Sequence, residues 1–155
     1  MGVNKIRAAG FTFEVADVAD LATATWIPLK GLNTFTESSD DSNTDVSTFE
    51  DAGYKSNLTV TRGYGLSVEG FMLEDEVTGD RDPGQEFVES KAEEVGQAAF
   101  MMMRITSPGG TKKVYEGSPS LSDVGGGQED AASWGFEMMV NGKPELDTTT
   151  APVTP

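Results

Sequence analysis

Polar and apolar positions alternate in long runs along this chain, with a period of two. Over residues 56–62, Leu58 and Val60 alternate with Asn57, Thr59 and Thr61; over 64–72, Leu66 and Val68 alternate with Ser67 and Glu69. That period marks half-buried strands with one apolar and one polar face. Arg62-Gly63-Tyr64-Gly65 supplies the glycines of a tight reversal, so the two runs are predicted to form a hairpin. Earlier in the chain, 11–15 (Phe-Thr-Phe-Glu-Val) predicts a first strand and 16–25 a small, acidic connector. Residues 25–30 predict a second strand, confined by Pro28 to an edge or a bulge and extended by 31–35. Residues 98–105 are apolar on both faces and predict a well-buried strand, which Ser107-Pro-Gly-Gly110 turns into a return strand at 112–116. A short strand and a loop are expected over 118–130. Over 133–140, Trp134, Phe136, Met138 and Val140 share one face. Asn141-Gly142 then turns into a Thr/Pro-rich tail, 143–155, predicted not to pack in a monomer.

One segment changes the period. Residues 74–82 break the β pattern with Glu74, Asp75, Glu76, Asp80 and Asp82, and a helix over 83–95 follows. Asp82 is placed to be its N-cap, Pro83 its N1 residue and Gln85 the N3 member of a capping box. Phe87, Val88, Ala92 and Val95 gather on one side, Glu86, Glu89, Glu93 and Glu94 on the other, and Gly96 is the expected stop. The elements add up to roughly six to eight strands and one inserted helix. They predict a single, mostly β domain over 1–155, a β-sandwich or partly open barrel with one flanking α-helix. There is no internal repeat.

Residues 36–54 carry no such period and are predicted to be a long acidic loop. Within it, Asp41-x-Asn43-x-Asp45 imitates the first ligands of a calcium-binding loop. The sixth position, which needs glycine, is Val46, and the twelfth, which needs glutamate, is Ala52. A solvated loop is the better reading. No metal or other cofactor is expected.

Composition narrows the chemistry. The 155 residues hold no cysteine and no histidine, which removes disulfides, thiolate sites, the usual general base and the common zinc sites. The formal charge is −15, and the 11 basic residues are scattered, with Lys112-Lys113 the one adjacent pair. Such a surface repels nucleic acid and other copies of itself. The N-terminal stretch lacks the apolar run of a signal peptide, and no stretch is long enough to span a bilayer, so a soluble chain made without a secretory address is expected. The acids at 74–82 are explained by the helix N-terminus beside them rather than by a glycosidase-like carboxylate pair. Gly63-x-Gly65 has neither the spacing nor the context of a dinucleotide fingerprint. The chain is therefore expected not to be an enzyme. Met101, Met102, Met103, Met138, Met139 and Trp134 read as core; Trp26, beside Pro28 near an edge, is an interface candidate.

The order of features resembles a known family. A Trp26-Ile-Pro-Leu-Lys-Gly31 strand leads into a long polar loop ending Phe49-Glu-Asp-Ala-Gly-Tyr54. Leu-Thr-Val-Thr-Arg and Leu-Ser-Val-Glu-Gly-Phe strands follow, then a mid-chain helix and a last core strand, Ala132-Ser-Trp-Gly-Phe-Glu-Met138. This layout, over roughly residues 10–145, is similar to that of the major tail tube proteins of long non-contractile-tailed (siphovirus-type) bacteriophages. Related subunits occur in contractile tails and in injection machines, and a β-sandwich capsid decoration or binding module is the alternative from another class. The resemblance implies a structural virion protein, assembled in the host cytoplasm. Its hexameric rings stack into a hollow tube whose negatively charged lumen conducts DNA during ejection. It implies as partners further copies of the chain, a tape measure protein, a distal tail initiator and a tail terminator, with neither specific DNA binding nor a membrane. It also implies contacts between rings through an N-terminal arm (1–10), the long loop (36–54) and the tail. The candidate contact residues in the loop are Thr36, Glu37, Asp40, Asp41, Asp45, Phe49, Glu50, Asp51 and Tyr54, with Phe49 and Tyr54 as aromatic anchors. The polar face of the predicted hairpin, Thr59, Thr61, Ser67 and Glu69, is the candidate lumen lining.

Overall fold

The computed structural model describes residues 8–147. Eight strands follow in chain order: β1 (Thr12–Asp17), β2 (Ile27–Leu29), β3 (Leu32–Asp45), β4 (Asn57–Phe71), β5 (Met101–Thr106), β6 (Lys112–Leu121), β7 (Ser133–Val140) and β8 (Glu145–Leu146). The helix, α1 (Pro83–Ala92), lies between β4 and β5 in sequence and packs against β6, β2 and β1. Every pairing is antiparallel, and one sheet runs β2-β1-β5-β6-β7-β4-β3, with β8 added to β6. This is the mostly β architecture with one flanking helix that the patterning predicts.

The sheet curls on itself. Phe11 and Phe13, at one end of its strand order, meet Phe35 of β3 at the other, with ring centroids 4.9 and 5.3 Å apart. Inside the curl lies one core, built from Val15, Leu66, Val68, Met101, Met103, Tyr115, Trp134, Phe136 and Met138, with Val88 of α1 against it. A smaller cluster on the opposite face of β1 and β5 joins Ala16, Met102 and Val114 to Leu21, Ala24 and Trp26. The two clusters bury β5 on both sides, which is why its sequence is apolar without alternation. At the crossing from β2 to β3 the backbone passes very close to β4: a Cβ on Gly70 would lie 2.0 Å from the Gly31 carbonyl oxygen. Gly31 itself has φ +88°, a conformation glycine adopts at little cost.

Several expectations need correction. Residues 56–72 are not a hairpin. β4 runs straight through Gly63 and Gly65, which sit opposite Asp40 and Ser38 of β3. The glycines alternate with ordinary strand residues, and a long partner strand outweighs local turn propensity. Residues 36–45, expected as loop, are that partner. Thr36, Glu37, Asp40, Asp41 and Asp45 are strand residues, and the true connection is 46–56. The helix ends at Ala92 rather than 95. Val95, expected on its apolar side, is 85% exposed, and Gly96 begins a separate 3-10 turn. Asp82 is the N-cap, accepting from the Gln85 amide at 3.3 Å, but Gln85 does not close a capping box. Its side chain turns inward, donating to the Phe71 and Lys30 carbonyls at 2.8 and 3.0 Å and accepting from the Leu73 amide. Glu89, expected to face water, is half-buried and accepts from Arg81 and from the Trp134 indole N–H. The strand expected at 112–116 continues to Leu121. The tail begins packed: β8 lies on β6, and the Asp147 carboxylate, fully buried, meets Arg104 at 2.9 Å. Residues 1–7 of the expected N-terminal arm and 148–155 of the tail lie outside the described residues.

Candidate functional site

β3 and β4 are far longer than the sheet that carries them. β4 pairs with β7 only from Tyr64 onward, opposite Val140. Residues 40–63 therefore leave the sheet as a two-stranded arm, closed by the connection at 46–56. Two-stranded ribbons are marginal in water, because neither face is covered. Here two of the uncovered strand residues are apolar: Leu58 is 58% exposed and Val60 57%. The alternation that predicted both as half-buried was read correctly as strand, but no second layer reaches them.

The tip presents the two aromatic residues expected as anchors. Phe49, in a 3-10 turn with Glu50 and Asp51, is fully exposed, and Tyr54 is 80% exposed. Ala52 holds φ +52° beside Gly53 at +87°, a left-handed pair in which the alanine carries about 1 kcal/mol of backbone strain. Asp45 ends β3 by accepting from the Ser47 amide at 2.9 Å. Bonds from the Ser47 side chain and backbone hold its carboxyl below the usual range. Backbone and Thr48 bonds do the same for Glu50. Asp41, Asn43 and Asp45 lie along an extended strand rather than wrapping a loop, and Asn43 accepts from the Thr59 hydroxyl at 2.9 Å. Among the described residues, no three acidic side chains are gathered to hold a metal ion.

Glu37, placed by sequence in the loop, instead sits at the base of the arm. Its two carboxylate oxygens take the Tyr115 hydroxyl at 2.6 Å and the Lys113 ammonium at 3.2 Å. Burial, and then this carboxylate, push the Tyr115 phenol far above its ordinary value, so it remains a donor. Sequence reasoning missed this cluster because its members lie 76 and 78 residues apart.

Ser67 and Glu69 lie on the β4 face turned away from the core, between buried Leu66, Val68 and Gly70. Register extends that face sideways. Thr36, Ser67, Glu137 and Ser120 form one row; Ser38, Gly65, Met139 and Ser118 form the next; Thr34, Glu69 and Gly135 a third. Hydroxyls, glycines and carboxylates fill these positions without one Lys or Arg, and the exception is Met139: expected in the core, it is 82% exposed, because strand parity turns it to the face opposite its buried neighbour Met138. Thr61 continues the face onto the arm opposite Ser42, but a register shift skips Val60 there, so Thr59 falls beyond a break in the alternation. The β6 and β7 members had no signal in the sequence beyond their strand parity. Trp26 is half-buried in the smaller cluster, with the Arg104 guanidinium 4.4 Å from its ring centroid.

No protein-family model and no curated protein matches the chain. Solved structures do match it in three dimensions, two of them from gene transfer agent particles. One is the virion of a native gene transfer agent particle, with TM-score 0.59 and 18% identity over 92% of this chain and 98% of that one. The other is the tail of an empty gene transfer agent particle in C6 symmetry, with TM-score 0.61 and 16% identity over the same shares. The likeness is one of fold. It spans nearly the whole of both chains, so the arm and the curled sheet are compared together rather than a shared fragment.

Proposed function

We propose that this chain is a structural subunit of a phage-type tail, and more specifically the repeating unit of its tube. In this reading six copies close into a ring, rings stack, and the hollow interior conducts DNA during ejection. The arm is the observation that carries it. A two-stranded extension with exposed Leu58, Val60, Phe49 and Tyr54 is an aggregation liability in a monomer and a contact in an assembly. The fold likeness to a C6-symmetric tail supports a sixfold ring. The hydroxyl-and-carboxylate face, free of cations, supports assigning Thr61, Ser67 and Glu69, and with them Thr59 and Glu137, to the lumen, where such a surface repels the DNA backbone. The tip residues Phe49, Glu50, Asp51 and Tyr54 are assigned to the adjacent ring. The N-terminal and C-terminal segments are assigned to contacts between rings. A tape measure protein inside the tube, an initiator at its distal end and a terminator at its head are the partners such a tube requires, in a virion assembled in the host cytoplasm. A non-contractile tail is the type this reading assigns.

Electron microscopy of the concentrated protein, with and without millimolar divalent cations, tests the reading. Hollow tubes of stacked rings are the expected result. Discrete monomers or trimers at every concentration would instead favour a decoration or binding module. In assembling protein, Phe49→Ala with Tyr54→Ala is expected to abolish stacking; tubes of normal length from that variant would remove the anchors from the interface.

A further inference from the structure

A polar cluster spans the base of the arm. β3 is the outermost strand of the sheet and β6 lies three strands away, yet Glu37 of β3 and Tyr115 of β6 are joined at 2.6 Å across the interior of the curl. The bond falls two residues before Ser39, which pairs with Tyr64, the last β4 residue to have β7 beside it. Lys113 closes the cluster. Its ammonium lies on the other Glu37 oxygen and stands 5.6 and 5.3 Å from the ring centroids of Tyr64 and Tyr115. Beyond this line the two strands of the arm have only each other, and two-stranded ribbons twist more freely than sheets.

Magnitudes rank the two bonds. The Lys113–Glu37 pair is about one third exposed on each side, the class of ion pair that contributes little. The Tyr115 hydroxyl is short, charge-assisted and carried by a buried ring whose O–H has no water to turn to. We propose that Glu37, Tyr115 and Lys113 are positioning residues that fix the angle at which the arm leaves the sheet and so preset it for the neighbouring copy. Tyr115 supplies the rigid end of the clamp and Lys113 steers the carboxylate onto it. The inference rests on reading the arm as a contact between copies.

The test uses the full chain and three variants, Glu37→Ala, Tyr115→Phe and Glu37→Gln. Arm order is read by amide relaxation in dilute monomer, assembly by the threshold concentration for light scattering, and fold by melting temperature. In Glu37→Ala and Tyr115→Phe, order parameters over 40–63 are expected to fall from about 0.85 to below about 0.6, while those of β7 and the β4 residues paired with it stay unchanged. The threshold is expected to rise about tenfold. Glu37→Gln, whose amide oxygen still accepts from Tyr115, is expected to keep the arm ordered. Unchanged arm order in both disruptive variants would overturn the clamp. So would a loss of order spread evenly through the sheet, which would mark a purely structural bond. If the wild-type chain forms no assembly, the tube reading fails, and the relaxation data on monomer still decide the clamp.

Discussion

At the scale of single residues, two buried polar groups hold elements together that the hydrophobic pattern does not join. Gln85 is fully buried and serves the Phe71 and Lys30 carbonyls and the Leu73 amide, tying α1 to the ends of β2 and β4. Gln85→Met keeps the volume and strands three backbone groups. A loss of about 3 kcal/mol is expected, seen as a lower urea midpoint with unchanged slope. Sequence reading placed Gln85 correctly at the third helical position and missed its direction, because a polar N3 side chain serves equally at a cap or in a core gap. Arg104 is the second such group. It bonds Glu14 at 2.6 Å and Asp147 at 2.9 Å, and its raised pKa, set by these partners against burial, leaves it charged at any ordinary pH. Arg104→Met leaves two carboxylates facing each other, at an expected cost of about 3 kcal/mol at neutral pH. Without the guanidinium that cost is one of unpaired negative charge held out of water, which protons relieve. The deficit of the variant is therefore expected to shrink as pH falls toward about 4. A deficit independent of pH, measured by chemical denaturation at several pH values, would mean that lost packing on Trp26 dominates.

At the scale of elements, alternation identified strands well and their partners poorly. The clean period of two at 58–60 and 66–68 is real, but it describes one strand, and the glycines at 63 and 65 imitate a turn without making one. The reason is that β3, which pairs with both halves, is made mostly of Ser, Asp, Asn and Thr, and the first three prefer turns locally. Nothing in its own sequence announces a strand of 14 residues; pairing with β4 imposes it. The same weakness gives the arm its predicted behaviour. In dilute monomer, amides of Thr59 and Thr61 are expected to exchange at least about tenfold faster than those of Leu66 and Val68, which lie between two strands. The difference is expected to close on assembly. The tip adds a pH dependence. Asp45 has a lowered pKa because Ser47 bonds its ionised form, and a lowered carboxyl pKa contributes stability above the unfolded value, lost as pH falls through the folded one. Below about pH 4 the Ser47 amide is expected to lose protection while the β4–β7 pairing keeps it.

At the scale of the whole molecule, charge sets the terms of the proposed assembly. Each copy carries −15, so bringing copies together concentrates like charge, and exposed charges beyond about 10 Å are screened at roughly 0.1 M salt. Raising the salt from about 10 to 300 mM is therefore expected to lower the threshold for assembly, opposite to the trend for a protein that binds nucleic acid. The distribution of that charge makes a sharper claim. Lys113 and Arg62 fall on the opposite strand parity from the face that runs from Thr36 through Ser67 and Glu137 to Ser120, and the carboxylates on it, Glu69 and Glu137, are exposed. If that face lines a tube, Glu69→Lys with Glu137→Lys replaces two negative charges by two positive ones on every copy, and a ring of six changes by 24 charges (six copies, four units each) around one channel. Tubes of the variant are then expected to retain short duplex DNA at low salt and to release it steeply as salt rises, whereas wild-type tubes retain none. The DNA should survive added nuclease, because it is enclosed. Binding that nuclease destroys would put the face on the outer wall, and the lumen would have to be sought on another surface of the same sheet.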